Sequence, residues 1–438
     1  MNGSRERVPQ EEGRKPSLLF VNQHYWPDVA STGQHLTDLA EHLAGQGYRV
    51  GVLCSRGSYV RGQVPSPRRE VHNGVTIRRV RTTGFGRARH VGRLVDYASF
   101  YIRVLRAILT PGPAHPDVVI FLTTPPLLSV LGWIAKRLRG QRYGIWSMDL
   151  HPDAEIASGM LRRGSVMTNL LLWLDERGLR GADFIVDLGR HMKKRLIDHG
   201  VDPARCHTIP VWNRKEEIEP IPRDANPLIE ELGLRDKFVV MYSGNAGLVH
   251  EFGPILEAMR LTREDSRIYW LFVGDGPRRA EIEDFIRSNG IQNATYRGYF
   301  PREQLRYSLS VADAHLISLR AEFVGISVPG KLYGIMASGR PAIFVGPAES
   351  DSGETVTNAR CGVVVDPSKV DAAELLLMAV RGWVQRSDES MQLGARGRAA
   401  FLANYERAGN CARFERVLAE AVGTSASPRY GESGVADP

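Results

Sequence analysis

Residues 322–346 read Glu322-Phe-Val-Gly-Ile-Ser-Val-Pro-Gly-Lys-Leu-Tyr-Gly-Ile-Met-Ala-Ser-Gly-Arg-Pro-Ala-Ile-Phe-Val-Gly346. The stretch begins as a loop, starts a helix at Pro329-Gly330-Lys331, runs helically to Ser338 and stops at Gly339-Arg340-Pro341. A short buried strand over 342–345 follows. A helix that opens on Gly and Lys directs backbone N–H groups, the positive dipole end and an ammonium at one point, and that point suits a phosphate. Glu322, just upstream, supplies a carboxylate for a hydroxylated partner. Together these residues point to a sugar nucleotide.

The alternation extends in both directions. Before it, residues 17–22 read as a buried strand, a loop carrying Gly33 follows, and Leu36, Leu39, Ala40 and Leu43 mark an amphipathic helix. The next strand, 49–54, completes a βαβ unit and implies a parallel sheet. Strands are expected again at 117–122, 143–146, 183–187 and 207–210, with helices at 127–138 and 189–197. A second series of strands falls at 238–242, 268–273, 294–297, 314–318, 342–345 and 362–365. The fold class is therefore α/β, with two doubly wound, Rossmann-like halves and ligands expected in a cleft at strand C-terminal ends. The expected division is a polar N-terminus at 1–15, an N-terminal domain at 16–214, a charged linker at 215–236 and a C-terminal domain at 237–394. Closing helices at 395–422 and a disordered tail at 423–438 complete it.

At 438 residues the chain exceeds one ordinary core. No run of about twenty apolar residues occurs, and the N-terminus lacks the apolar stretch of a signal peptide. Cys54, Cys206, Cys361 and Cys411 are scattered without metal-ligand spacing, so a reducing cytoplasm is expected. Charge is uneven: residues 1–214 hold 31 Lys/Arg against 18 Asp/Glu, and the remainder 26 against 31. Between residues 56 and 142 sixteen basic residues face only Glu70, Asp96 and Asp117. This is either a solvated surface or an attraction to something anionic. No nucleic-acid motif or aromatic stacking pattern accompanies it, so nucleic acid is not the expected partner. Residues 97–109 mix aromatic, aliphatic and basic side chains as interfacial helices do, which favours an anionic membrane surface or a pyrophosphate-linked lipid.

Several clusters admit two readings. Asp149, His151, Asp153 and Glu155 follow the 143–146 strand: a carboxylate there orients or deprotonates an acceptor hydroxyl, or it caps a helix beside Pro152, the role expected of Asp153. Gly244-Asn245-Ala246-Gly247 after the 238–242 strand is a phosphate loop or a plain strand-to-helix turn. Gly33 is a turn glycine or one that admits a phosphate or acceptor to the backbone. Gly274-Asp275-Gly276-Pro277 reads as structural. No Asp-x-Asp pair occurs, so no metal site and no cofactor is expected. Donor charge would fall to Lys331, helix N-termini and His250.

Six segments in order carry a family resemblance: Tyr25-Trp26-Pro27 to Gly33, Thr123-Thr124-Pro125-Pro126, residues 148–153, Tyr242 to Gly247, residues 273–277 and residues 322–341. The chain resembles the retaining GT-B glycosyltransferases of family 4, in the bacterial branch that builds O-antigen, capsule and exopolysaccharide, over residues 18–418. The resemblance implies transfer of a sugar from a nucleotide-diphosphate donor to a hydroxyl acceptor, expected to be a lipid-linked glycan at the inner face of the plasma membrane, with retention of configuration. It implies a catalytic group of Asp149, His151, Glu322 and Lys331. Donor contacts are implied at Gly33, Gly244, Asn245, Gly247, His250, Tyr299, Gly330, Lys331, Leu332 and Tyr333. Two departures stand out. Gly334 occupies the position where the family's second Glu binds ribose, and Leu248 and His250 stand where relatives carry Arg and Lys. A sugar-nucleotide epimerase of the same architecture, or a non-catalytic sugar-nucleotide-binding subunit, are the alternatives.

Overall fold

The computed structural model describes residues 15–57, 66–83, 90–110 and 115–423. Most of the expected residues 1–15, the tail from 424, and Arg87 and Arg89 of the basic stretch lie outside them.

The strands are β1 Ser17–Val21, β2 Arg49–Ser55, β3 Arg69–His72, β4 Val75–Val80, β5 Val118–Phe121, β6 Arg142–Trp146, β7 Phe184–Asp187 and β8 Cys206–Thr208, then β9 Phe238–Ser243, β10 Ile268–Val273, β11 Ala294–Arg297, β12 Ala314–Ser318, β13 Ala342–Val345 and β14 Gly362–Val365. Among the described residues eight strands make one sheet, ordered β3-β4-β2-β1-β5-β6-β7-β8, and six make another, ordered β11-β10-β9-β12-β13-β14. Every pairing in the second sheet is parallel. Its order reverses between β9 and β12, where doubly wound sheets open a crevice beyond their strand C-termini.

These strands form because their residues are apolar on both faces: β5, β7 and β13 are buried at every position. The hairpin β3–β4 was not anticipated, because its buried Val75 and Ile77 alternate with exposed Thr76 and Arg78 instead of running continuously. Its turn, Asn73-Gly74, places both residues at positive φ, the conformation Asn-Gly favours in two-residue hairpins.

By internal contacts the chain divides into two units. The first holds the described residues up to Trp146, Arg177–Ile185 and those from Arg413 on; the second holds Ser147–Glu176 and Val186–Ala412. In the second, Tyr242, Phe252, Trp270, Phe272 and Trp383 anchor the core around the six-stranded sheet. Residues 215–236 are not featureless: the helix Pro227–Glu231 is capped by Asn226 and buries Leu228 and Ile229. In the first unit the helix His90–Leu109 turns Phe100, Val104 and Ile108 into the core and leaves Arg103 and Arg106 exposed. Phe100, Val104 and Ile108 thus serve packing, while Val95 and Ile102 of the same helix stay exposed.

All four cysteines are free and buried. No helix of the described residues is long and apolar enough to cross a membrane.

Candidate functional site

In the second unit, β9 and β10 each end in a glycine loop, and the two loops lock together. Gly244 N–H donates to Val273 O at 2.9 Å, Ala246 N–H to Asp275 O at 2.7 Å, and Arg278 N–H to Ala246 O at 3.0 Å. Gly244, Gly274 and Gly276 have φ of 131°, 139° and 141°, which side-chain-bearing residues rarely adopt. A Cβ on Gly274 would stand 2.1 Å from Gly244 O. The 274–277 turn therefore supports the 244–247 loop, and glycine is required at this approach.

Lys331 opens the two-turn helix Lys331–Ala337, whose residues 332–337 are all buried. Its Nζ is buried with no hydrogen-bond partner. The ammonium lies 3.8 Å from the centroid of the Tyr242 ring, and a methyl on Gly244 would be 3.3 Å from it. A ring face attracts a cation by up to about 2 kcal/mol but accepts no ordinary hydrogen bond, so three donors stay unused. Burial pushes the amine down from its ordinary value to about 7. The arrangement holds a cation-forming group beside glycine backbone and leaves its donors for an incoming acceptor such as a phosphate oxygen.

His250 belongs to the same cluster but cannot share the charge. Its Nδ1–H donates to Ser318 O at 2.7 Å, and burial, then the Lys331 charge, lower its pKa to about 3. The imidazole is neutral, which corrects its expected role in offsetting donor charge; it braces the loop instead. Tyr242 Oη donates to Asn245 O at 2.8 Å, and Arg278 reaches His250 O at 2.5 Å. Neither Tyr242 nor Arg278 was expected as a site residue from sequence, although an aromatic ending a strand before a glycine loop is a usable signal. Gly247 lies close to Asn245, and the exposed Tyr299 ring flanks Gly274.

The other candidates separate. Asp149 forms an antiparallel bridge with Ser327, and Leu150 N–H donates to Ile326 O at 3.0 Å, so Asp149 is fastened to the loop that leads into Lys331. His151 Nδ1 sits 2.8 Å from Glu155. Burial alone would lower its pKa, but Glu155, with Asp149 and Asp175, outweighs burial and the net shift is upward. Asp153 is not a cap. The helix Asp153–Ala157 has Pro152 at its N-cap, and the Asp153 carboxylate pairs with His199 at 3.2 Å and Arg195 at 3.5 Å. Glu322 is exposed in the 3₁₀ turn Ala321–Phe323, 3.4 Å from Arg320. Leu332 is core, and Gly330 approaches Val211. Gly33 belongs to the first unit, where a Cβ on it would stand 3.2 Å from the His24 backbone; it lets a helix pack against a loop. A Cβ on Gly334 would meet Asn213, Ile218 and Leu309 at ordinary contact distances, so bulk does not dictate glycine there.

A cavity of about 340 Å³, also within the second unit, is lined by Gly189, Arg190, Tyr333, Asp351, Glu354 and Tyr405 among others. Tyr333, an expected donor contact, stacks on Tyr405 at 4.4 Å. Asp351 accepts from His191 N–H at 3.1 Å, while its other oxygen is buried without a partner and burial raises its pKa. Gly189 is required beside it, because a Cβ there would fall 2.2 Å from Asp351 Oδ1. Sequence inspection missed this carboxylate. Its only mark is an Asp-Ser-Gly-Glu run at 351–354 just beyond β13.

Comparison with known proteins decides the family. Residues 32–212 match the glycosyl transferase 4-like domain, and residues 237–380 match the glycosyl transferases group 1 family. The chain is a GT-B glycosyltransferase of family 4. This glycosyltransferase is 24% identical over 367 residues to the putative colanic acid biosynthesis glycosyl transferase WcaI of Escherichia coli K12, across 81% of this chain and 89% of that one. It is 27% identical to the probable glycosyltransferase WbjE of Pseudomonas aeruginosa, over 54% of this chain and 59% of the relative. Among solved structures it resembles sucrose-phosphate synthase of Thermosynechococcus elongatus with TM-score 0.73 at 16% identity, covering 94% of this chain and all of that one. It also resembles Anabaena HepE, solved with UDP-glucose, with TM-score 0.69 at 13% identity, covering 92% of this chain and all of that one. These structural likenesses bear on the fold.

Proposed function

We propose that this glycosyltransferase moves a sugar from a nucleoside-diphosphate donor to a hydroxyl of a lipid-linked glycan, in the assembly of a cell-surface polysaccharide and with retention at the anomeric carbon. One observation carries the reading: the buried Lys331 ammonium, unbonded, beside the Gly244 loop. A buried charge without a hydrogen-bond acceptor is costly, and a diphosphate oxygen supplies what is missing. The UDP-glucose held by HepE favours the same donor class, and the colanic acid biosynthesis in the name of WcaI favours the polysaccharide setting.

In this reading the bond between the anomeric carbon and the diphosphate oxygen breaks as the acceptor oxygen bonds to the same face of that carbon. The acceptor proton passes to a phosphate oxygen of the leaving diphosphate. Lys331 stabilises the charge growing on that group and takes the role a divalent cation has elsewhere. Asp149, fixed to the 326–327 backbone, orients the acceptor hydroxyl. The cavity at Asp351 offers acceptor-side hydrogen bonding, because a carboxylate oxygen without a partner accepts well from sugar hydroxyls.

The test is a donor screen with chelator present, reading nucleoside diphosphate release and the anomeric configuration of the product. Release with a retained glycoside supports the proposal. Inverted product, an absolute need for metal, an epimerised donor, or binding without turnover each overturns part of it. The last two outcomes correspond to an epimerase and to a non-catalytic subunit.

A further inference from the structure

Strand β12 is buried at every position and ends on a polar side chain, Ser318. Side chains alternate between the faces of a strand, so Ala314, Leu316 and Ser318 share one face. The first two join the core beside Val240 and Tyr242 of β9, with Leu316 paired to Tyr242. Ser318 lies one step further towards the strand C-terminus, paired with Val345 of β13. This is where the sheet order reverses between β9 and β12 and a crevice opens.

Ser318 is 0% exposed, and its Oγ has no hydrogen-bond partner. A hydroxyl buried in this way is costly, and native folds rarely leave one without a reason. Its surroundings supply one. The backbone oxygen of the same residue accepts from His250 Nδ1–H at 2.7 Å, and the His250 ring stands 5.7 Å from that of Tyr242. The Lys331 ammonium stands 3.8 Å from the same Tyr242 ring, likewise buried and unbonded. Two open polar groups thus gather around one ring at the ends of β9 and β12. An ammonium donates and a hydroxyl accepts, yet no bond joins them, and each keeps its hydrogen for a third group. An occupant with several acceptor oxygens serves both, whereas an apolar or cationic one serves neither.

We propose that Ser318 is a second ligand of the donor diphosphate: its hydroxyl donates to one phosphate oxygen while the Lys331 ammonium meets another. The inference deepens the proposed function and rests on its donor reading. The two contacts differ in kind. Lys331 binds through charge and weakens as its amine loses a proton above about pH 7, whereas the hydroxyl keeps its hydrogen.

The probes are UDP, GDP, ADP and dTDP, each set against its own nucleoside and titrated into the full chain on both sides of about pH 7. Ser318→Ala should weaken the diphosphate that binds by about three- to ten-fold, as loss of one neutral hydrogen bond predicts, and by the same factor at each pH. Affinity for the nucleoside should not change. The melting temperature should hold or rise, since a methyl needs no partner. Lys331→Met should instead remove the pH dependence. Unchanged diphosphate affinity in Ser318→Ala, with Lys331→Met still weakening it, overturns the inference and leaves the donor reading standing; the hydroxyl then holds a buried water. Equal losses for diphosphate and nucleoside, or a lowered melting temperature, make Ser318 structural and overturn it too. Wild type that binds none of the four diphosphates, or two variants that both bind as wild type does, overturns the donor reading along with it.

Discussion

Arg79 in the first unit and Lys331 in the second each set a buried cationic group among core residues, and the two are treated in opposite ways. Arg79 in the first unit is 4% exposed and fully engaged: it pairs with Glu70, donates to Pro67 O at 3.1 Å and to Trp26 O at 2.6 Å. Lys331 in the second has a buried ammonium and no hydrogen-bond partner, only an aromatic face. Arg79 ties the loop after β1 to the β3–β4 hairpin and is satisfied within the fold. Lys331 is incomplete without something else. A buried charge whose bonds close within the chain is architecture, and one whose bonds stay open is a candidate binding group.

Three substitutions sharpen that contrast. Removing a closed pair should cost most. Arg79→Met should destabilise the protein by about 3 kcal/mol, because it strands Glu70 and two carbonyls, while donor affinity per folded molecule stays unchanged. Chemical denaturation with parallel donor titration checks both halves. A loss of donor affinity in the folded fraction would erase the distinction.

Lys331→Met should do the reverse. Donor affinity and turnover should fall at least about ten-fold, corresponding to a lost charge-assisted contact of roughly 1.5–3 kcal/mol. Stability should hold or rise. The sign follows from linkage: the folded-state pKa of about 7 lies below the reference 10.5, so the unfolded chain binds more protons between those values. Lys331 therefore makes wild-type stability rise with pH through that window, and the penalty is complete below it. Met at 331 should flatten this rise, which melting at a series of pH values will show. Donor binding, which favours the charged amine, should weaken as pH climbs above about 7, and the variant should lose that dependence.

Asp149→Asn should have the mildest effect. Its backbone bridge to Ser327 is untouched, so the melting temperature should barely move. Transfer should fall by about ten-fold at most with donor affinity retained, as expected for loss of one charged hydrogen bond to acceptor. A stability loss with full specific activity in the folded fraction would make Asp149 structural, an Arg79-like case.

The parallel strands were legible because runs such as Val118 to Phe121 and Ala342 to Val345 are apolar on both faces and bounded by turns. The helix starting at Lys331 was legible from Pro329-Gly330 and the Gly339-Arg340-Pro341 stop. The β3–β4 hairpin escaped because the outward residues of β4, Thr76 and Arg78, are polar or charged. Residue type alone also made His250 a candidate cation and Asp153 a cap. Burial made the first neutral, and His199 and Arg195 claimed the second.

The amino-acid order by itself determined the alternation of strands and helices, the glycine loops after β9 and β10, and the presence of a lysine at the start of the 331–337 helix. These depend on neighbours a few residues apart, through hydrogen-bond geometry, chain stiffness and apolar periodicity. Only the tertiary structure decided that this lysine is buried over Tyr242, that Asp149 meets Ser327, that Asp351 lies against Gly189, and that Trp173 faces out. Those facts depend on desolvation and on contacts between residues far apart in the chain, and desolvation is a property of the assembled surroundings that no side chain carries with it.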